Sequence, residues 1–90
     1  MNPRPKPTHL CRVCGWLHED PPWGEDGDTP SYNICECCGV EFGYEDATPQ
    51  ATSRFRQAWL EGGAQGWDKA RRPCNWDLGA QLARIGVQIA

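Results

Sequence analysis

Two copies of the pattern C-x-x-C-G stand in the first half of the chain: Cys11-Arg12-Val13-Cys14-Gly15 and Cys35-Glu36-Cys37-Cys38-Gly39. Two cysteines at this spacing turn both sulfurs toward one ion when the chain between them forms a tight loop. The glycine after the second cysteine accepts the positive φ that such a loop demands. Twenty residues lie between Cys14 and Cys35, and this separation matches the spacing of zinc sites built from two cysteine pairs.

The repeated pattern predicts one metal ion per chain, bound by the paired cysteines Cys11, Cys14, Cys35 and Cys38. Four thiolates in a tetrahedron are a ligand set of closed structural zinc sites. Iron accepts the same ligands, so zinc is the expected cofactor and iron is the alternative. Disulfides within the pairs are a weaker interpretation, because they would close only short loops and stabilise the fold little.

Two cysteines and two histidines lie outside this ligand set. We expect Cys37 and Cys74 to be buried as small apolar side chains, with a reactive thiol or a minor second site as the alternative. His9 and His18 flank the first cysteine pair. Because four cysteines already complete a tetrahedral site, both histidines are expected to be packed or solvated and not to be ligands.

The composition indicates one small domain that depends on its metal. The chain has 90 residues, of which 10 are glycine and 8 are proline. The core of such a chain is marginal by itself, whereas a structural zinc ion contributes about 10 kcal/mol to folding. We predict a disordered proline-rich lead-in at residues 1–8 and a single domain at residues 9–90. That domain divides into a zinc ribbon (9–46) and a helical half (48–90) packed on it.

The predicted fold class is a small α+β metal-bound domain. Short strands at residues 9–11 and 31–34 are expected to carry the two cysteine loops on a hairpin. The acidic residues Glu41, Glu45 and Asp46 are expected to link the ribbon to the helical half, with their charges exposed.

The helical half is predicted to contain two packed helices. The first has Thr48 as its cap and Pro49 as its first residue, and it ends at Gly62. The second is predicted to run from a cap at Asn75 to Gly86, with leucine and isoleucine recurring at helical spacing.

The distribution of charge favours a protein partner over nucleic acid. Residues 1–50 carry nine acidic and three basic residues, whereas residues 51–90 carry six basic and three acidic residues. An acidic ribbon disfavours nucleic-acid binding and attracts a basic protein. The five tryptophans exceed the needs of a small ribbon core, so some are expected to form an exposed anchor patch.

Neither catalysis nor membrane insertion is indicated. The chain has no catalytic serine–histidine–aspartate order, phosphate-binding glycine loop or open histidine-rich metal site, so we expect no enzyme activity. No apolar run approaches the roughly 20 residues of a membrane span. The proline-rich start is unlike a secretory signal peptide, so a reducing cytoplasm is expected.

The run Pro30–Asp46, with Cys35-Glu36-Cys37-Cys38-Gly39 at its centre, resembles the family of small bacterial cysteine-rich proteins named for its C-P-C-C motif, the CPCC family. Glu36 stands where that family usually has proline. The segment from Phe55 to Gly62, and Asn75-Trp76 together with Gln81-Leu82, are similar to the second half of the family. The resemblance covers about residues 9–85. It implies a zinc-ribbon-like fold and no reaction, since the family has no assigned activity. More distantly, the two cysteine loops resemble those of rubredoxin, which implies an iron site for electron transfer as the alternative.

Overall fold

The computed structural model describes residues 7–66 and 76–87 of the chain. Within them lie a 3-10 turn at Pro7–His9 and two helices, α1 (Pro49–Glu61) and α2 (Leu78–Ala83). Neither helix of this part of the chain has the length and apolar character needed to cross a membrane.

Each cysteine pair lies in a tight loop that is closed by one antiparallel pair of residues. In the first knuckle loop (residues 9–18), Leu10 pairs with Leu17. The Cys11 N–H donates to the Trp16 carbonyl at 3.0 Å. The second knuckle loop repeats both features at the equivalent positions, and we define it as residues 33–42.

The predicted strands of the hairpin do not form within the described residues, which contain only these isolated pairs. The chain enters the first loop directly from the turn at Pro7–His9, whose backbone is not extended. Before the second loop, Tyr32 has a φ of 61°, a left-handed conformation that takes the chain out of a strand. The β part of the predicted α+β fold is therefore not confirmed in the described residues, where two loops take its place, whereas the two helices are confirmed. Of the predicted lead-in at residues 1–8, residues 1–6 lie outside the described part.

Helix α1 begins and ends as the sequence predicts. The Thr48 hydroxyl accepts a hydrogen bond from the Ala51 N–H at 3.0 Å. Pro49 occupies the first position, where a helix does not need an N–H donor. Gly62 follows the last helical residue as the C-cap. The apolar face of the helix carries Trp59 into the core, where 9% of the residue remains exposed.

Helix α2 begins later than predicted. Its cap is Asp77, whose side chain accepts from the Ala80 N–H at 3.0 Å. The expected cap at Asn75 was therefore wrong, and Asn75 itself lies outside the described residues. The helix ends before Ile85, which lies in the following turn. Six residues do not form a stable helix alone, so α2 depends on packing through the fully buried Leu82.

The hydrophobic core is built around the cysteines. The largest apolar side chains that are almost completely buried come from both knuckle loops and α2, and they are Val13, Val40, Phe42 and Leu82. Trp59 of α1 joins this cluster and meets Trp76 edge to face, with ring centroids 6.4 Å apart. The helical half therefore packs directly on the cysteine half.

Asp46 links the two halves. We expected its charge to be exposed, but the structure buries it. The side chain is fully buried and accepts from the Trp23 indole N–H at 2.9 Å and from the Gly43 N–H at 2.8 Å. Its backbone carbonyl accepts from the Thr52 hydroxyl of α1 at 3.3 Å. Buried polar groups need such partners, and these three bonds connect residues 21–30, the residue that follows the second knuckle loop, and α1.

Candidate metal centre

The structure brings the sulfur atoms of Cys11, Cys14, Cys35 and Cys38 together, and all four lie within 4.8 Å of one another. All four residues are buried. None of the five described cysteines forms a disulfide. A cluster of four thiolate ligands at this distance can hold a metal ion.

The sulfur–sulfur distances agree with a tetrahedral ion at the centre. The Cys11 and Cys38 sulfurs are 3.8 Å apart, and the Cys14 and Cys35 sulfurs are 3.7 Å apart. A tetrahedron with a metal–sulfur distance of about 2.3 Å has an edge of about 3.8 Å. A disulfide would need a separation of about 2.05 Å. The cluster therefore has the dimensions of a metal site and not of a pair of disulfides.

The two knuckle loops approach each other as repeated units. In each short sulfur pair, the first cysteine of one loop faces the second cysteine of the other. His18 and Phe42 end their respective loops at equivalent positions, and their rings meet edge to face at 5.2 Å. The arrangement is what approximate twofold symmetry between the loops produces.

The glycines after the cysteine pairs have the conformation that the repeated pattern predicts. Gly15 has a φ of 81° and Gly39 a φ of 82°. In each loop the glycine N–H donates to the carbonyl of the first cysteine at 2.9 Å. This bond closes the turn that brings the two sulfurs of a pair to the same side.

The electrostatics of the cluster already favour negative charge on two of its sulfurs. Hydrogen bonds from the Cys11, Cys14 and Cys38 thiols lower the pKa of Cys35. Burial opposes ionisation of Cys11, but bonds from its neighbours outweigh burial and lower the pKa of Cys11. Burial raises the pKa of Cys14 and Cys38, because a buried thiolate loses its hydration. A central cation would supply the missing stabilisation to all four thiolates.

Both histidines lie beside the cluster without joining it. His9 contacts the Glu25 carboxylate at 2.9 Å and the His18 carbonyl at 3.0 Å. The Nε2 atom of His18 is buried, and no described atom lies in hydrogen-bonding geometry to it. Burial disfavours a positive imidazole, but the Cys11 and Cys35 thiolates outweigh this effect and raise the pKa of His18 to about 9.

Side chains from the helical half hold the first knuckle loop in place. Three of these side chains donate hydrogen bonds to four consecutive backbone carbonyls, those of residues 12–15. Arg56 of α1 donates to the Arg12 and Val13 carbonyls at 2.8 and 2.7 Å. Gln81 of α2 donates to the Cys14 carbonyl at 2.9 Å. Arg84 donates to the Gly15 carbonyl at 3.4 Å.

Gln81 is the residue that connects α2 to both loops. It is 3% exposed, and its amide nitrogen also contacts the Cys37 sulfur at 3.5 Å. The Gln81 side-chain oxygen accepts from the Trp76 indole N–H at 2.6 Å. Its backbone carbonyl lies against Gly15, where a Cβ atom would come within 2.2 Å of it. Cys37 is thus buried as expected, at 3% exposure, while Cys74 lies outside the described residues.

Sequence reasoning missed the roles of Arg56, Gln81 and Arg84. One signal was available for Gln81, which interrupts the apolar face that Leu78 and Leu82 form on α2. A polar residue at such a position is buried with a specific partner, and here the partner is the backbone of a metal-binding loop.

The described geometry defines a small domain of two helices and two cysteine loops, with a tetra-cysteine site that can hold a metal ion. Comparison of the chain with protein-family models, curated proteins and solved structures finds no match. The resemblance to the CPCC family and to rubredoxin therefore stays a prediction from the sequence.

Proposed function

We propose that this protein is a structural zinc domain, with one zinc ion bound by Cys11, Cys14, Cys35 and Cys38. The observation that carries the proposal is the buried cluster of these four sulfurs at tetrahedral spacing. Four protein ligands leave no open position for water, so the metal holds the two loops together and does not activate a nucleophile. We accordingly assign no catalytic reaction to the domain.

The role that we propose for the domain is binding to another protein, one with a basic surface. Support comes from the charge of the cysteine half, since residues 13–53 contain nine acidic residues and no lysine or arginine. Such a surface accelerates association with a basic partner. Among the described arginines, Arg56 is engaged with the backbone of the first knuckle loop. The thiol state of the described cysteines fits a reducing compartment such as the cytoplasm.

Iron electron transfer of the rubredoxin type is the second candidate. The observation that favours it is the same sulfur spacing, because iron and zinc both accept four thiolates at this distance. The two candidates differ in an easily measured property, since a ferric tetrathiolate site is coloured and a zinc site is colourless.

The deciding experiment is metal analysis of the protein purified under air from cells supplied with both metals. We expect one zinc per chain and no visible absorption band. A red protein with stoichiometric iron would instead establish the electron-transfer candidate. The variant Cys14→Ser should lose the metal, and Cys37→Ser is the matched control, since Cys37 lies outside the sulfur cluster. Full metal retention by Cys14→Ser would contradict the ligand assignment.

A further inference from the structure

The Nε2 atom of His18 is buried beside the sulfur cluster, and no described atom is aligned with it as a hydrogen-bond partner. The repeated loops show what an inert residue would look like at this position. His18 and Phe42 end their loops in the same way, each donating its backbone N–H to the carbonyl of the residue that opens the loop. Phe42 buries only carbon atoms there, at 1% exposure. A buried ring nitrogen in the same place costs free energy unless it has a partner.

Three contacts fix the position of the His18 ring. The His18 N–H donates to the His9 carbonyl at 2.8 Å, and the His18 carbonyl accepts from the His9 ring at 3.0 Å. The His18 ring meets Phe42 edge to face, with centroids 5.2 Å apart. Neither of these hydrogen bonds uses Nε2, so the residue is held in place while this atom stays available for a further bond.

The polar groups that act on the His18 ring are two sulfurs of the cluster. Burial lowers the pKa of His18, but side-chain contacts with Cys11 and Cys35 raise it to about 9. These cysteines are the first of their respective pairs, so His18 lies where the two loops each contribute one sulfur. A cysteine that binds a metal has lost its proton, and its sulfur can then only accept a hydrogen bond. The atom of His18 that faces it must be a donor, which a ring nitrogen is when it carries the proton.

We propose that His18 shares its Nε2–H between the metal-bound sulfurs of Cys11 and Cys35, and that this bond helps the site to retain its metal. His18 is then a positioning residue of the metal centre and not a ligand. The inference rests on the metal site of the proposed function and holds for zinc and for iron alike. Hydrogen bonds to ligand atoms fix the orientation of the ligands, and the loss of such a partner typically weakens metal binding by about tenfold to a hundredfold.

The direct test is NMR of the metal-loaded full chain with ¹⁵N-labelled histidine. In the zinc form, the ¹⁵N shift of Nε2 reports whether this atom carries the proton. In the ¹¹³Cd form, a scalar coupling between the metal and the imidazole proton is transmitted only through an N–H···S bond. We expect a protonated Nε2 on His18 and a coupling from ¹¹³Cd to its proton. His9 is the internal control, because its Nε2 contacts the Glu25 carboxylate and should show no coupling.

Two substitutions separate the donor from the ring. His18→Phe places the residue of the second loop in the first and keeps a ring against Phe42, but it has no donor. His18→Gln loses the ring and keeps an N–H donor. We expect His18→Phe to weaken zinc binding by about tenfold to a hundredfold in a chelator competition. His18→Gln should recover most of this loss, which a role in ring packing would not produce.

The contrary results are distinct. An unprotonated Nε2, or a metal-loaded chain without coupling at His18, would overturn the proposal. Parental zinc affinity in His18→Phe would also overturn it, and so would equal losses in His18→Phe and His18→Gln. Metal analysis of the same samples reports separately on the proposed function. A chain that binds no metal contradicts that function, whereas a chain that binds metal without the coupling contradicts only the role of His18.

Discussion

Replacement of Gln81 by leucine removes the contact through which α2 holds the first knuckle loop. Leucine has a similar size but cannot donate to the Cys14 carbonyl or accept from the Trp76 indole. Both bonds are short, at 2.9 and 2.6 Å, and Gln81 is buried. A buried polar group that loses its partner costs about 1–3 kcal/mol. Two such groups predict a loss of about 2–6 kcal/mol in the free energy of unfolding, a large share of the roughly 5–15 kcal/mol typical of a domain.

The measurement is urea unfolding of the zinc-loaded protein, together with the rate at which a chelator removes the zinc. The control is Gln57→Leu, which changes the same residue type on the exposed surface of α1, where Gln57 donates a hydrogen bond to Glu61. We expect the control to stay within about 0.5 kcal/mol of the parent. Gln81→Leu should unfold at lower urea and release zinc faster. Equal stability and equal release in the two variants would refute the assignment of Gln81 as the connection between α2 and the metal loops.

Three further predictions test how far the helices and the metal-binding loops stabilise each other. Gly15→Ala should destabilise the protein by more than Gly27→Ala in thermal unfolding, because both glycines have positive φ but only Gly15 lies against Gln81; equal shifts in the melting temperature would show that the contact is unimportant. Trp59→Ala should lower the free energy of unfolding by about 3–5 kcal/mol and weaken zinc binding in a chelator competition. Unchanged zinc affinity would show that the packing of α1 does not affect the metal site. Complete removal of zinc should abolish the circular dichroism signal of the helices, since neither is stable alone at its length; helices that survive would indicate two independent units.

The sequence predicted the features that depend on local pattern. The cysteine spacing identified the four residues that the structure clusters, and Thr48 and Pro49 correctly marked the start of α1. These predictions succeeded because a loop, a cap or a helix start is defined by residues close together in the chain. The zinc ion itself and the single cooperative domain stay predictions, which the metal analysis and the zinc-removal experiment address.

The sequence failed where tertiary contacts decide the outcome. The start of α2 was placed at Asn75 because asparagine is a good cap, yet Asp77 caps the helix in the structure. Asp46 resembled a solvated linker residue, but two hydrogen bonds stabilise it in a buried position. The role of Arg56 could not be inferred at all, because its partners lie more than 40 residues earlier in the chain. Side chains that bond to a distant backbone leave no local pattern in the sequence.

The difference between the two knuckle loops links the fold to the proposed role. A duplicated motif provides two equivalent loops, and metal binding requires both of them. The helical half clamps the first loop through the carbonyls from Arg12 to Gly15, and Leu10 of that loop is buried. It contacts the second loop through Gln81 and the Cys37 sulfur. The second loop needs no comparable clamp if the metal anchors it through Cys35 and Cys38, so its outer surface is available for a partner. On this argument, loss of zinc would loosen the second loop before the first, because four carbonyls of the first loop stay bonded to side chains of the helical half.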